Sequence, residues 1–310
     1  GISSSNVSII DTAERPTVPT SPNLFKNLLL ALLAGVGLAA LTLFIKDQLD
    51  DAIRVPEDVE SKLRLPLLGV VPKATGRDPD SEMGDPKSPV SEAYNSLRAA
   101  LLYSTSAGLP QVMLVTSAQS AEGKTTTSFA TAASLARMGR KVALIDADLR
   151  RPSIHRRFGL PNERGLTDLL TSSDPVESAV LATPQENLFV IASGPIPPSP
   201  TELVSSPRME QVVQELARTY DVVVIDSPPI LGLADAPALS ALADGVIFVV
   251  ESDRSRRGSL KTALRRLRAM RPILLGAVLT KFDPTRSGNR YSEYYGYQYY
   301  TYEQSDRERD

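Results

Sequence analysis

The sequence predicts an α/β fold, a mostly parallel sheet with helices on both faces, preceded by one transmembrane helix. Three observations carry this. Val112–Val115, Val142–Ile145 and Val222–Ile225 are continuous apolar runs, each followed at once by polar or acidic residues, as expected of central parallel strands covered on two faces. The stretch from Thr127 to Met138 places Phe129, Ala133 and Ala136 at helical spacing after the first of these runs. Leu28 to Ile45 is an uncharged apolar run, enough at about 1.5 Å per residue to cross most of a roughly 30 Å hydrocarbon core.

Taken in order, residues 1–23 are polar and dotted with Pro16, Pro19 and Pro22. Residues 24–46 form the expected span. A signal peptide is the first competitor, but it would have a shorter apolar core behind a basic segment; a buried core helix is the second. Lys46, Arg54, Lys62, Arg64 and Lys73 follow the span, against Arg15 and Lys26 before it, which favours a cytoplasmic C-terminal side. Residues 47–84 read as a juxtamembrane linker with one short strand, Leu67–Val71, before Pro72. Residues 85–284 suffice for one α/β domain with a full core. Within them, Arg254 to Arg268 alternates basic residues with Leu260, Leu264 and Leu267, an amphipathic helix whose basic side is either a solvated face or a contact for anionic lipid or phosphorylated peptide. Residues 285–310 hold seven of the ten tyrosines, Tyr291, Tyr294, Tyr295, Tyr297, Tyr299, Tyr300 and Tyr302. That run has neither strand nor helix periodicity, so a mobile tail is expected. It is either a sticky low-complexity end or a set of phosphoryl acceptors, and the second reading needs a phosphate site elsewhere.

Ser117-Ala118-Gln119-Ser120-Ala121-Glu122-Gly123-Lys124-Thr125-Thr126 supplies one between a strand and a helix. Free amides and the positive end of the dipole at a helix start suit β- and γ-phosphates. Lys124 adds a point charge, and the Thr125 hydroxyl is a hard oxygen ligand for magnesium. The pattern Gly-x4-Gly-Lys-Thr holds except at Ala118, where alanine should cost some loop freedom. The other two strands end at Asp146-Ala-Asp148 and at Asp226. Ligands in such sheets bind beyond the carboxyl ends of the strands, so these acids should converge on the loop. One aspartate after a strand is commonly a cap or turn former; three beside a phosphate loop read as a magnesium site. Asp226 would hold the metal through water, and Asp146 and Asp148 would hold metal or take a proton from an attacking hydroxyl.

Thr116–Thr126, Ala143–Pro152, His155–Pro161, Gly194–Pro198 and Asp226–Pro229 together resemble the bacterial tyrosine kinases, the cytoplasmic domains of polysaccharide co-polymerases. The resemblance implies a P-loop NTPase-type sheet binding ATP and Mg2+, with a Walker A loop at Ala118 to Thr125, a second acidic motif at Asp146 and Asp148, and a Walker B acid at Asp226. It makes the tyrosine tail the autophosphorylation substrate, modified between subunits of a ring. It also implies an octamer, a polysaccharide polymerase and an outer-membrane export channel as partners, a tyrosine phosphatase, and a place in the bacterial inner membrane with the kinase domain cytoplasmic. Residues 1–23 resemble the end of the family's external domain. Position 1 is glycine, so the chain is expected to be the C-terminal part of a longer protein.

Three departures from the family pattern stand out. Its oligomerisation motif appears as Glu92, Asn95 and Arg98, with asparagine at the middle arginine; Thr280-Lys281 and Ser199 each replace a common asparagine. A tail leaving from the far edge of the domain should not fold back into its own site, which favours transfer in trans. A switch ATPase of the MinD type would need a lysine where Gln119 stands, and a nucleotide-regulated scaffold would not need the complete set of loop and acid residues. Composition excludes other classes. A net charge of −2 gives no basic field for nucleic acid. Without cysteine there is no disulfide framework or thiol catalysis, and the single histidine, His155, in an Arg-rich turn, is expected at the surface or in a cap.

Overall fold

The computed structural model describes residues 21–49, 51–74, 79–85 and 87–283. The chain divides into two units, meeting at Asp51 and Ala52. The first contains one helix, Leu24–Leu49, in which Leu24–Ile45 has a mean hydropathy of 2.6 and no buried side chain. At about 1.5 Å per residue it is long enough, and apolar enough, to cross a bilayer.

The second unit is built on an eight-stranded sheet in the order β1-β8-β7-β2-β6-β3-β5-β4. Its strands are β1 Leu67–Pro72, β2 Val112–Ser117, β3 Val142–Asp146, β4 Val180–Ala182, β5 Leu188–Ile191, β6 Val222–Asp226, β7 Gly245–Glu251 and β8 Leu274–Phe282. Only the short edge strand β4 runs antiparallel to its neighbour. The central strands are buried on both sides because alternate residues feed two cores. Leu114, Ala143, Ile145, Val223 and Ile225 join one core, with Leu216, Leu260 and Leu264 from the helices Pro207–Thr219 and Arg257–Arg268. Met113, Val115, Leu144, Val222 and Val224 join the other, with Leu97, Leu101, Ala132 and Leu135 from Pro89–Leu102 and Lys124–Arg137. The fold class read from the apolar runs is therefore the one observed.

The stretch 47–84, expected as a linker, contributes far more than one short strand. Ile53, Val59, Leu63 and Leu65 are buried in the first core, and β1 extends the sheet by pairing with β8. The pairing is close. At Gly276 a Cβ would come 2.4 Å from the Pro66 carbonyl oxygen, so only glycine lets the two backbones meet. The linker reading failed because these apolar residues lie at irregular spacing and find their burial in tertiary packing, against β8, the helix Arg257–Arg268 and the helix Pro89–Leu102.

A chain beginning at Ala52 should accordingly melt cooperatively with little change in Tm. One beginning at Lys73, without β1 and the four buried side chains before it, should lose roughly 10 °C or more, or aggregate through the uncovered edge of β8. Differential scanning calorimetry of both truncations distinguishes a folded 52–72 segment from a passive tether, for which the two would melt alike.

Candidate active site

Sheet order places the acids in a row beside the phosphate loop. β2 ends in the loop 118–123, its neighbour β6 ends at Asp226, and β3 beyond it ends at Asp146. Asp226 lies opposite Val115 on one side and opposite Asp146 on the other, so the two carboxylates stand one strand spacing apart, about 4.8 Å between backbones. Five of the sequence-assigned residues meet here: Lys124, Thr125, Asp146, Asp148 and Asp226.

The helix begins at Lys124 because Gly123 takes a left-handed conformation (φ 94°) that turns the loop into the first turn. A Cβ there would also press on Thr280 at 3.4 Å. The first amides of this helix have no intrahelical acceptor, as the start of every helix leaves them. Ala118, by contrast, is absent from the positions with positive φ and is fully buried in the core. The expected cost of alanine there does not arise, since its backbone conformation is open to any residue and its methyl packs.

Hydrogen bonds fix the acids. Asp226 accepts from the hydroxyls of Thr125 (2.8 Å) and Ser128 (2.9 Å). Asp146 accepts from the amides of Ser153 and Ile154, both at 2.9 Å. Asp148 accepts from the Arg151 amide at 3.0 Å and pairs with the Lys124 ammonium at 2.9 Å. Asp146 and Asp226 are fully buried, Asp148 is 4% exposed, and Lys124 is 8% exposed. Three carboxylates thus share one cation. Burial, then the neighbouring Asp226, pushes Asp146 up to about 7. Asp226 is likewise raised by burial, against the pull of Lys124, Thr125 and Ser128. Burial acts to lower Lys124, but the charges of Asp226 and Asp148 outweigh it and the ammonium is held above its ordinary value.

These groups fit magnesium. Among the described residues no three carboxylate or imidazole groups stand near enough to share one ion. Magnesium usually takes only one or two carboxylates and completes its octahedron with water and phosphate oxygens, and the donors here are all hard oxygens in a cluster with excess negative charge.

The other loop residues divide between buried and exposed positions. Glu122, expected in the phosphate-binding loop, can serve there only through its backbone: its carboxylate is 1% exposed and faces inward, accepting from the Gln119 amide at 2.7 Å and from the Ser255 hydroxyl at 2.5 Å. Burial raises its pKa against those two donors. Gln119, Ser120 and Ala121 are exposed, and Thr126 accepts from Arg157 at 3.2 Å. Thr280 and Lys281, which replace the family's asparagine, support the loop from beneath: Thr280 donates to the Glu122 carbonyl at 2.7 Å and Lys281 to the Ala121 carbonyl at 2.8 Å. Sequence reasoning missed Ser128, Ser255 and this support, because their partners are brought together only by the sheet. Ser128 alone left a signal, one helical turn beyond Lys124. Ser199 caps no bond with its side chain. His155 is half-buried with Nδ1 lacking a partner, and burial and then Arg156 hold its pKa down.

Glu92, Asn95 and Arg98 lie on the helix Pro89–Leu102, Glu92 exposed and the others half-buried, with Asn95 donating to Glu92 at 3.4 Å. The seven tail tyrosines lie outside the described residues. The tail's point of departure is nevertheless fixed. β8 runs parallel to β2 and β7 and delivers Asp283 to the same edge as the loop, so the expected far-edge departure is wrong; the sequence alone could not place β8 two strands from β2.

The family model described as "AAA domain" matches residues 111–271. The chain is 38% identical over 218 residues to the tyrosine-protein kinase YwqD of Bacillus subtilis, covering 70% of this chain and 89% of that one. It is 31% identical over 311 residues to the putative tyrosine-protein kinase EpsB of Ralstonia solanacearum, covering 96% of this chain but 42% of the relative. The kinase domain of the Escherichia coli tyrosine kinase ETK superposes with a TM-score of 0.70 at 26% identity, over 77% of this chain and 98% of that domain.

The raised carboxyl of Asp146 gives a pH test. A folded-state value near 7 against 3.8 unfolded means that the native state holds the proton more tightly, so stability is fullest below the unfolded value and falls as pH rises through that window. Asp146→Asn cannot ionise and should escape the loss. Its Tm should exceed the parent's by an amount that grows by several degrees from about pH 5 to about pH 8; a gap that is constant with pH would contradict the buried ionisation.

Proposed function

The chain belongs to the bacterial tyrosine-protein kinases, and from that premise we propose an ATP- and magnesium-dependent autokinase, anchored in the inner membrane, that phosphorylates its own C-terminal tyrosines and thereby regulates exopolysaccharide polymerisation and export. What carries the reading is the pairing of Lys124 with Asp148 beside the Asp226–Thr125 bond, a cation and a hydroxyl held ready at the start of a helix behind a phosphate-sized loop.

In this reading the amides from Ser120 to Thr125 receive the phosphates. Lys124 leaves Asp148 for the transferred phosphoryl group, where its charge offsets the charge developing in the transition state. Thr125, Asp226 and Asp146 would hold a magnesium ion, which would supply charge neutralisation for the phosphates. Asp148, released by Lys124, takes the proton as the tyrosine oxygen attacks the γ-phosphorus. One P–O bond forms, the β–γ bridging bond breaks, and ADP leaves with the bridging oxygen. Buried Glu122 keeps the loop rigid and takes no part in the chemistry.

The apolar helix supports anchoring, with residues 1–23 outside, 24–46 in the membrane, 47–84 juxtamembrane, 85–284 catalytic and 285–310 the substrate tail. The chain spans less than half of the longer relatives; the polysaccharide role, with polymerase, export channel and a tyrosine phosphatase as partners, rests on the family resemblance. A ring of subunits, an octamer by family resemblance, would meet through the face of Glu92, Asn95 and Arg98. From Asp283 to Tyr291 is a short tether, so reach alone permits transfer within a subunit; transfer in trans follows from the ring.

Incubation with ATP and magnesium, mapped by intact mass and peptide sequencing, should place several phosphates between Tyr291 and Tyr302, none of them in Lys124→Met. Mixing Lys124→Met with a chain lacking residues 285–310 should restore labelling of the Lys124→Met tail. ATP consumption without tyrosine modification would refute the kinase assignment, and an unlabelled mixture would refute transfer in trans.

A further inference from the structure

Between Arg254 and Arg271 the chain carries eight basic residues and no acidic one, although its net charge is −2. Most of them lie on the helix Arg257–Arg268. Arg257, Lys261, Arg265 and Arg268 follow at spacings of four, four and three, which sets them on one helix face, beside the buried Leu260, Leu264 and Leu267. Lys261, Arg265 and Arg268 are exposed, as is Arg256 just before the helix.

Two features argue against an ordinary solvated face. Cations in the last turn favour the helix dipole, but Arg256 and Arg257 stand at its N-terminus, where positive charge is unfavourable, and no acidic residue occupies the first turn. The carboxylates nearest in sequence are engaged elsewhere: Glu251 with Arg254 and Lys281, and Asp253 with Arg54. Among the described residues none of Arg256, Arg257, Lys261, Arg265 and Arg268 has a carboxylate partner, and Nε of Arg257 is buried with no acceptor. The stripe is therefore a cationic surface maintained at some cost to the helix.

Its place in the chain indicates the partner. Ala52 forms an antiparallel bridge with Arg256, the Ile53 amide donates to the Ser255 carbonyl at 2.9 Å, and the Asp253 amide donates to the Ile53 carbonyl at 2.8 Å. Seven residues lead from Ile45, the last apolar residue of the span, to Ala52, at most roughly 25 Å of extended chain. We propose that the basic face of the helix Arg257–Arg268 is a docking surface for anionic lipid headgroups, held beside the bilayer by the Ala52–Arg256 bridge. The inference rests on the anchoring proposed above. A cationic stripe next to a juxtamembrane segment gains attraction from the negative inner-leaflet surface, within a Debye length. A phosphorylated tail is the rival occupant, since the Ser252 amide donates to the Thr280 carbonyl at 2.9 Å and Lys281 pairs with Glu251 close to where the tail begins; the bridge favours lipid because it ties Arg256, at the start of the helix itself, to the membrane-proximal segment.

The chain has no cysteine, so Thr262→Cys, at an exposed position on this helix, takes a single fluorophore. The labelled full chain is reconstituted into vesicles of phosphatidylcholine alone or with phosphatidylglycerol, each carrying a headgroup quencher. Quenching should be severalfold stronger with phosphatidylglycerol, and should be lost in high salt and in Lys261→Glu/Arg265→Glu/Arg268→Glu, a variant required to melt like its parent. Equal quenching in both lipids, or indifference to salt and charge reversal, overturns the proposal. So does a change in label signal that requires ATP and magnesium and occurs equally in phosphatidylcholine, which would assign the stripe to the phosphorylated tail. Flotation after alkaline extraction reports separately on the apolar helix. A chain that is stripped from the vesicles yet shows charge-dependent quenching would remove the anchor and keep the lipid face.

Discussion

Three carboxylates buried around one ammonium set the terms for the rest of the domain. Desolvating Asp146, Asp148 and Asp226 is unfavourable unless each is hydrogen-bonded or neutralised, and each has been given its own donors. Asp226 has two hydroxyls from the helix, Asp146 two amides from the turn after β3, and Asp148 the ammonium. Those donors come from the elements that must be fixed for a phosphate to bind. The loop helix cannot shift without breaking the bonds of Asp226, and the turn at Ser153 cannot shift without exposing Asp146. The residual negative charge leaves the site receptive to cations, and a polyphosphate arriving with its metal is the chemical partner such a site can accept without repulsion.

Rigidity of the loop has a second source on the opposite side. Ala121 is left-handed (φ 67°), a conformation unfavourable for alanine, and it persists because neighbouring groups over-determine it. Lys281 holds its carbonyl, Thr280 holds the carbonyl of Glu122, and the Glu122 side chain is locked by Ser255. Ser255 also accepts the Ile53 amide through its backbone. The phosphate loop, the end of β8 and the start of the folded unit thus form one hydrogen-bonded assembly, although they are more than 60 residues apart in sequence at the least.

What was legible in the sequence is what depends on local spacing. Continuous apolar runs gave β2, β3 and β6, and Gly-Lys-Thr after the first of them gave the loop, because strand burial on two faces and helix initiation both leave signals within ten residues. The acids converged as expected because parallel strands deliver their carboxyl ends to one edge. What was not legible depends on partners distant in sequence. The role of 52–72 is decided by β8, the inward turn of Glu122 by Ser255, and the harmlessness of Ala118 by a backbone angle. The family pattern names Thr280 only as a replaced asparagine; that it props Gly123 and Glu122 is visible only once β8 is threaded two strands from β2.

That threading also changes how the tail should be thought of. A substrate segment attached at the far edge would need a second subunit to be phosphorylated at all. With Asp283 delivered to the site's own edge, beside the residues that brace the loop, tether length no longer separates intramolecular from intermolecular transfer, and in-line geometry does. The tyrosine oxygen must approach the γ-phosphorus opposite the leaving oxygen, and effective concentration falls once a linker is shorter than the span it must cross. A tether that begins almost at the loop suffers most from this constraint at its near end. If the tail is the substrate proposed above, Tyr291, eight residues beyond Asp283, has the fewest in-line poses in its own site and Tyr302, nineteen beyond it, the most, so transfer within one subunit should favour the far tyrosines.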